Sequence, residues 1–198
     1  MYHNQITQMN KVTPEDRKKI KRWVRKCMNL LKKKEYPLPV TRYHVDRAVK
    51  LTKVIDNPRN LGGNFAGAGS IQINLKYWQY RPDHWVNGIK EEYDAFANNP
   101  VYGDRAVTDL DDRILISVAH EVAHYVQRAV MRSQGIYMKG HGDGFQRIYR
   151  WLRLDLVNPI IDAKMAKEQQ AHLIQEQEFK RLRQMDLPMN GEEFKLVA

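Results

Sequence analysis

Apolar residues recur at helical spacing over a long stretch in the middle of the chain. They are Leu110, Ile114, Leu115, Val118, Val122, Tyr125, Val126, Ala129 and Val130. Because they return every three or four residues, they predict a long and largely buried helix. Thr108, followed three residues later by Asp111, is a typical N-cap signal. The helix is therefore expected to begin after Thr108 and to end near Met131.

A second helical pattern lies near the N-terminus. Thr13 as N-cap and Pro14 at the first helical position, followed by two acidic residues, predict a helix start. Its apolar stripe consists of Ile20, Trp23, Val24, Cys27, Leu30 and Leu31. Lysines and arginines cover much of the remaining surface, and Pro37 and Pro39 are expected to end the helix. Residues 1–36 are therefore predicted to form a basic amphipathic helical segment.

The remaining patterns are shorter. Residues 71–75 alternate apolar and polar side chains, as a half-exposed strand does, whereas residues 39–55 fit a strand or a helix equally well. Residues 160–185 are rich in Gln, Lys and Glu and predict an exposed helix. We therefore predict an α+β fold, with a central domain over 37–158 and a helical extension and tail over 159–198.

The candidate chemistry lies in the predicted central helix, within His120-Glu121-Val122-Ala123-His124. Residues four apart on a helix lie one above the other, so His120 and His124 can hold one metal ion. In the H-E-x-x-H arrangement the two imidazoles bind zinc, and Glu121 acts as general base on the zinc-bound water. A chance pattern is disfavoured, since unpaired His and Glu in so apolar a segment would carry a desolvation cost.

The residues that follow narrow the type of zinc site. A metzincin would continue with a glycine and a histidine where this chain has Gln127 and Val130. A gluzincin would use a glutamate on a later helix, but the next acidic residues are Asp143 and Asp155. Instead, His141 stands between two glycines, just before another apolar-periodic run.

These residues resemble the SprT-like (Spartan-type) zinc metalloprotease domain family, which pairs H-E-x-x-H with a later H-G-x-x-[F/W]. The matching residues are His120, Glu121, His124, His141, Gly142 and Phe145. The resemblance covers about residues 60–155. It implies that His141 is the third zinc ligand, and we expect the flanking glycines to permit the tight turn that brings it back. It further implies a zincin-like fold with a short antiparallel sheet, in which residues 66–75 form the strand at the cleft edge.

The resemblance also implies substrates that are bound or crosslinked to DNA. Many relatives carry a Cys-x-x-Cys ribbon after the protease core, which a chain with Cys27 alone cannot form. Residues 1–54, however, hold 15 Lys and Arg against 4 Asp and Glu, so the formal net charge of +10 belongs to the N-terminal quarter. This asymmetry favours DNA as a partner of the basic helix, with a merely solvated charged face as the alternative.

Several interpretations stay open. An oxyanion could be stabilised by Tyr125, Tyr137, Tyr149 or Arg147. The aromatic cluster of Tyr77, Trp78, Tyr80 and Trp85 is expected to pack the cleft rim rather than to stack on bases. The polar N-terminus and the lack of a long apolar run predict an intracellular, soluble protein, cytoplasmic or in the nucleoid or nucleus, with no membrane partner. The oligomeric state is not predicted.

The predicted function is a zinc metalloendopeptidase that cleaves proteins, DNA-associated ones by resemblance, through Glu-assisted attack of zinc-bound water. The alternative is a non-catalytic, zinc-stabilised DNA-binding or assembly protein. Glu121 disfavours this alternative, because a purely structural site has no use for a base. The basic helix and the Gln-rich C-terminal segment favour it. Another zinc hydrolase activity also stays open, since a fold does not fix a function.

Overall fold

The computed structural model describes residues 12–56, 64–66, 69–75, 109–136 and 140–185, without the side chains of 64–66 and 183–185. The described chain is mostly helical with a small sheet, an α+β arrangement. Its main elements are α1 (Pro14–Leu31), α2 (Arg42–Leu51), β1 (Thr52–Ile55), β2 (Asn64–Ala66), β3 (Ile71–Asn74), α3 (Leu110–Tyr125), α4 (Asp143–Leu152) and α5 (Asn158–Met185). The chain divides into two compact units, residues 1–159 and 160–198.

Helix α1 begins as its sequence predicts. The Thr13 hydroxyl accepts a hydrogen bond from the Asp16 backbone N–H at 3.1 Å, and the Asp16 carboxylate accepts one from the Thr13 backbone N–H at 2.9 Å. This capping box satisfies two backbone donors that a helix end leaves open. The apolar stripe packs against α2 and α3; all of its predicted members are buried except the half-buried Trp23, and Met28 is buried as well. The helix ends at Leu31, before the two prolines.

The sheet has three described strands in the order β1-β3-β2. β1 runs parallel to β3, with Thr52 opposite Ile71, whereas β2 runs antiparallel to β3. The prediction of a purely antiparallel sheet is therefore wrong. β2 follows β1 in the chain but lies on the far side of β3, so the neighbour of β1 is a strand reached by a crossover, which can run parallel.

The expectation of a single edge strand over residues 66–75 also needs correction. Ala66 ends β2, and β3 begins five residues later at Ile71. β3 is hydrogen-bonded on both sides, and Ile71 and Ile73 are fully buried. A peptide could not add to β3, because its main-chain groups are already paired with β1 and β2.

Helix α3 lies at the centre of the first unit, in contact with α1, α4, β2 and β3. Every residue from Asp112 to Tyr125 is buried, as its apolar pattern predicts. Its N-cap is Asp109, whose carboxylate accepts from the Asp112 backbone N–H at 2.8 Å; the expected cap, Thr108, lies outside the described residues. The helical path continues through a π-helical turn, Val126–Met131, and a 3-10 turn, Arg132–Gln134, so it ends three residues beyond the predicted Met131.

The C-terminal part contains two further helices. α4 buries Phe145, Ile148, Tyr149 and Leu152 and leads into a second π-helical turn, Arg153–Val157. α5 is 28 residues long, and its described side chains beyond Met165 are exposed, as predicted for this polar segment. Among the described helices, none combines the length and the apolar character needed to cross a membrane.

Candidate metal centre

His120 and His124 lie one turn apart on the buried helix α3. Their ring centroids are 4.8 Å apart, and both side chains are almost fully removed from solvent, at 5% and 7% exposure. The rigid helix fixes the spacing of the two imidazoles. This is the arrangement that the H-E-x-x-H pattern predicts.

His141 reaches the same place from the short segment before α4. Its Nε2 lies 2.9 Å from Nε2 of His124, and its ring centroid lies 5.4 Å from that of His120. One nitrogen from each of the three histidines lies within 4.8 Å of the others. His141 is exposed, so the cluster opens to solvent on this side. The three predicted ligands are thus brought together from two separate elements.

The glycines that flank His141 do not have the role expected from the sequence. Gly142 has a φ of −69° and is the N-cap of α4, a conformation that other residues also adopt. A Cβ at position 140 would meet nothing within 4 Å. The left-handed conformation that favours glycine occurs instead at Gly135, with a φ of 76°, where the helical path after α3 ends. The return of His141 therefore does not depend on glycine backbone freedom.

Phe145 and Tyr149 on α4 pack against the histidine cluster. The Phe145 ring stacks on His124 at 4.3 Å between centroids and meets His120 and His141 at 4.9 Å each. Tyr149 lies edge-on to His120 at 5.5 Å. Both aromatic residues are fully buried. The aromatic position of the H-G-x-x-[F/W] pattern thus packs against all three histidines.

The electrostatics of His124 suit a metal ligand. Burial, reinforced by the nearby His120 and His141, lowers the pKa of His124 to about 3. The imidazole is therefore neutral at physiological pH, which is the form that binds metal. On its other side, Nδ1 of His124 lies 3.4 Å from Oε1 of Gln127.

The three histidines could hold one metal ion, and their spacing can be compared with that of zinc ligands. Zinc–nitrogen bonds are about 2.0–2.1 Å long, so two nitrogens on one zinc are at most about 4.2 Å apart. The Nε2 atoms of His124 and His141, 2.9 Å apart, are within that limit. All three nitrogens lie within 4.8 Å of one another, so the widest pair exceeds the limit by less than about 1 Å. Three imidazoles on a tetrahedral ion leave one position open, as in catalytic rather than structural sites.

Glu121 is also buried, at 6% exposure. It follows His120 directly, so its side chain leaves α3 about 100° further around the helix axis. Glu121 is thus a buried carboxylate next in sequence to His120 and is not part of the group of three converging histidines.

The residues predicted as candidates for stabilising an oxyanion have different surroundings in the structure. The Tyr149 hydroxyl accepts a hydrogen bond at 2.8 Å from the fully buried Arg153, so its oxygen is engaged by a cation of the core. Tyr125 is buried near Arg47 and Tyr43 of α2, and Arg147 lies on the exposed face of α4 over Trp151. Tyr137 and the aromatic cluster Tyr77, Trp78, Tyr80 and Trp85 lie outside the described residues.

The basic side chains of α1 are divided between two uses. Lys19 forms an ion pair with Asp111 of α3 at 2.7 Å, and Arg25 forms a longer one with Asp46 of α2. Arg22 and the residues 32–34 just after the helix are exposed to solvent. Part of the N-terminal charge is thus paired with acidic residues of α2 and α3, and part remains available to a partner.

Two buried residues near the cluster were not found from the sequence. In the sequence, Gln127 is only a departure from the metzincin pattern. Its position three residues after His124, however, places Gln127 and His124 on one helix face. Arg153 gave no signal, because an arginine in a mixed sequence is normally expected at the surface. No protein-family model, curated protein or solved structure matches this chain. The likeness to SprT-like domains therefore rests on the motif residues alone.

Proposed function

We propose that this protein is a zinc-dependent metallopeptidase with His120, His124 and His141 as the metal ligands and Glu121 as the general base. The observation that carries the proposal is the convergence of the three histidine nitrogens within 4.8 Å, with the buried Glu121 directly after His120 in sequence. A buried glutamate next to two metal-binding histidines has a chemical use in hydrolysis that a structural site lacks.

The chain's own residues divide the work. When bound, zinc supplies a Lewis acid that polarises a carbonyl and lowers the pKa of a coordinated water to about 7. Glu121 takes up the proton of the attacking water at its carboxylate and delivers it to the leaving amine. Phe145 and Tyr149 keep the histidine rings in position and exclude water from their inner side.

We assign the first unit to a zincin-like fold of the SprT-like kind. This assignment is supported by the histidine pair on α3, the third histidine just before α4, and the small sheet against α3. The substrates of this proposal are proteins bound or crosslinked to DNA. The exposed basic residues of α1 support the proposed DNA contact, because they can pair with phosphates.

The test is proteolysis by purified, zinc-loaded protein. A basic DNA-binding protein serves as substrate, with and without single-stranded DNA, and the wild type is compared with Glu121→Gln. Glu178→Gln on the exposed part of α5 is the matched control. We expect cleavage by the wild type and the control, and a loss of at least about 10²-fold in Glu121→Gln, with zinc content unchanged.

Each other outcome is informative. Equal activity of Glu121→Gln and the wild type would contradict the proposed mechanism. Binding of zinc and DNA without cleavage would favour the non-catalytic alternative. Cleavage that depends on Glu121 but is indifferent to DNA would keep the enzyme and remove the proposed partner.

A further inference from the structure

Gln127 lies at the start of the π-helical turn that continues α3, three residues after His124. Its side chain is buried at 3% exposure, and its Oε1 lies 3.4 Å from Nδ1 of His124. Val126 and Val130 on the same turn are fully buried. An amide in such surroundings carries a desolvation cost that only hydrogen bonds offset. The site therefore has a polar side chain where packing alone would favour an apolar one.

The contact bears on which nitrogen of His124 carries the proton. A neutral imidazole has one N–H donor and one acceptor nitrogen. If the Gln127 oxygen accepts from Nδ1–H, the lone pair of His124 must be on Nε2. This is the nitrogen that faces His141 at 2.9 Å.

We propose that Gln127 is a positioning residue of the metal centre, which holds His124 in the Nδ1–H tautomer so that Nε2 is free to bind the cation. The inference rests on the proposed metal site and adds a residue that the H-E-x-x-H pattern does not contain. Partners of this kind orient histidine ligands and raise their basicity. Without a metal, Nε2 of His124 accepts from Nε2–H of His141, which explains their short separation.

The π-helical turn contributes to this arrangement. π-Helical turns in α-helices occur frequently at functional sites, because they change the direction of individual side chains. The first turn after His124 is of this type, and it begins next to Gln127. A glutamine adds an acceptor there without adding a charge next to the His124 imidazole.

A rotated amide would give the opposite result. If the Gln127 NH₂ group faced His124, Nδ1 would have to accept and Nε2 would carry the proton. Such a His124 could not bind a metal through the nitrogen that faces the cluster. The tautomer of His124 therefore decides between the two orientations.

The experiment combines two measurements on the full chain. ¹⁵N–¹H correlation NMR of the histidine side chains in metal-free protein gives the tautomer of His124. Competition with a chromophoric chelator gives the zinc affinity. Both are made on the wild type, Gln127→Leu and Gln127→Glu, with Gln134→Leu as an exposed control of the same chemistry.

We expect the Nδ1–H tautomer in the wild type, in Gln134→Leu and in Gln127→Glu, whose carboxylate keeps the acceptor. Gln127→Leu should show mixed tautomers and bind zinc about 10- to 100-fold more weakly. An Nε2–H tautomer in the wild type would overturn the inference, as would a Gln127→Leu protein with unchanged tautomer and affinity. If Gln127→Leu fails to fold, the wild-type tautomer and Gln127→Glu decide. A wild type that binds no zinc would instead refute the proposed metal site, and the metal-free spectrum would still report on Gln127.

Discussion

Phe145 shows how much of the candidate centre depends on one apolar side chain. Its ring contacts the imidazoles of His120, His124 and His141, which come from two different elements. Each ring contact limits the rotation of a ligand that an open loop would leave free. Because aromatic pairs gain energy beyond their buried area, Phe145 joins the stability of the core to the geometry of the site.

Phe145→Ala should therefore weaken folding and zinc binding together. Removal of a fully buried phenylalanine costs about 3–5 kcal/mol in the free energy of unfolding. Urea unfolding with and without zinc measures both effects. Phe179→Ala, at a position that is 56% exposed on α5, is the matched control and should change little. Equal effects of the two substitutions would show that Phe145 does not support the centre.

The reactivity of the Cys27 thiol tests directly whether the apolar face of α1 is buried. It is fully buried, which confirms the sequence interpretation of a core-facing residue, and this burial raises the pKa of its thiol to about 12. Since the thiolate is the reactive form, we expect no reaction of the native protein with a thiol reagent at pH ~8. Full reaction should follow unfolding in urea. Rapid modification of the native protein would mean that α1 does not pack as described.

At the scale of elements, α1 combines an apolar docking face with an exposed basic surface. Its buried stripe and the Lys19–Asp111 ion pair fix it against α3, the helix that carries two of the histidines. A DNA strand bound along the exposed residues would lie on a helix that packs directly against α3. The exposed ion pair itself adds little stability.

Replacing Lys32, Lys33 and Lys34 together by Gln should weaken DNA binding. If all three contact phosphates of single-stranded DNA, the slope of log affinity against log salt should fall by about 2. Fluorescence anisotropy with a labelled oligonucleotide at several salt concentrations measures this slope. The triple substitution Lys167, Lys180 and Arg181 to Gln on α5 removes the same charge and serves as control. Identical slopes in both triple variants would remove residues 32–34 from the DNA contact.

The elements differ in how far the sequence could predict them. The start of α1 and the pair on α3 follow from local spacing, so Thr13, His120 and His124 were found without the structure. The strand order was not, because the pairing of β1 with β3 joins segments that no local pattern connects. His141 can be predicted only from the H-G-x-x-[F/W] motif. Gln127 could have been predicted from its position three residues after His124. Arg153 could not be found, since its burial depends on how α4 packs.

At the scale of the whole molecule, folding favours the protonated form of two groups that lie in different elements, the Tyr36 hydroxyl and the Cys27 thiol. The Tyr36 hydroxyl donates to Asp155 at 2.7 Å, and burial together with this carboxylate raises the pKa of Tyr36 to about 12. Burial raises the pKa of Cys27 to a similar value. A group whose pKa is raised on folding stabilises the protein below its unfolded pKa, and this contribution is lost as the pH rises through the folded pKa.

We therefore expect stability to fall between about pH 9 and pH 12, the range between the unfolded and folded pKa values of these groups. Urea unfolding at about pH 8, 10 and 11 measures the free energy of unfolding below this range and within it. Tyr36→Phe should lower stability at pH 8 and make its decline at high pH shallower. A wild type whose stability is constant up to about pH 12 would contradict the described burial of both groups.

The most direct test of the central claim is the zinc content of the purified protein, measured by metal analysis after dialysis against a weak chelator. We predict one zinc per chain in the wild type and a nearly complete loss in His141→Ala. His172→Ala, an exposed histidine on α5, should keep the wild-type content. A wild type without zinc, or a His141→Ala protein that retains it fully, would contradict a metal centre built from His120, His124 and His141.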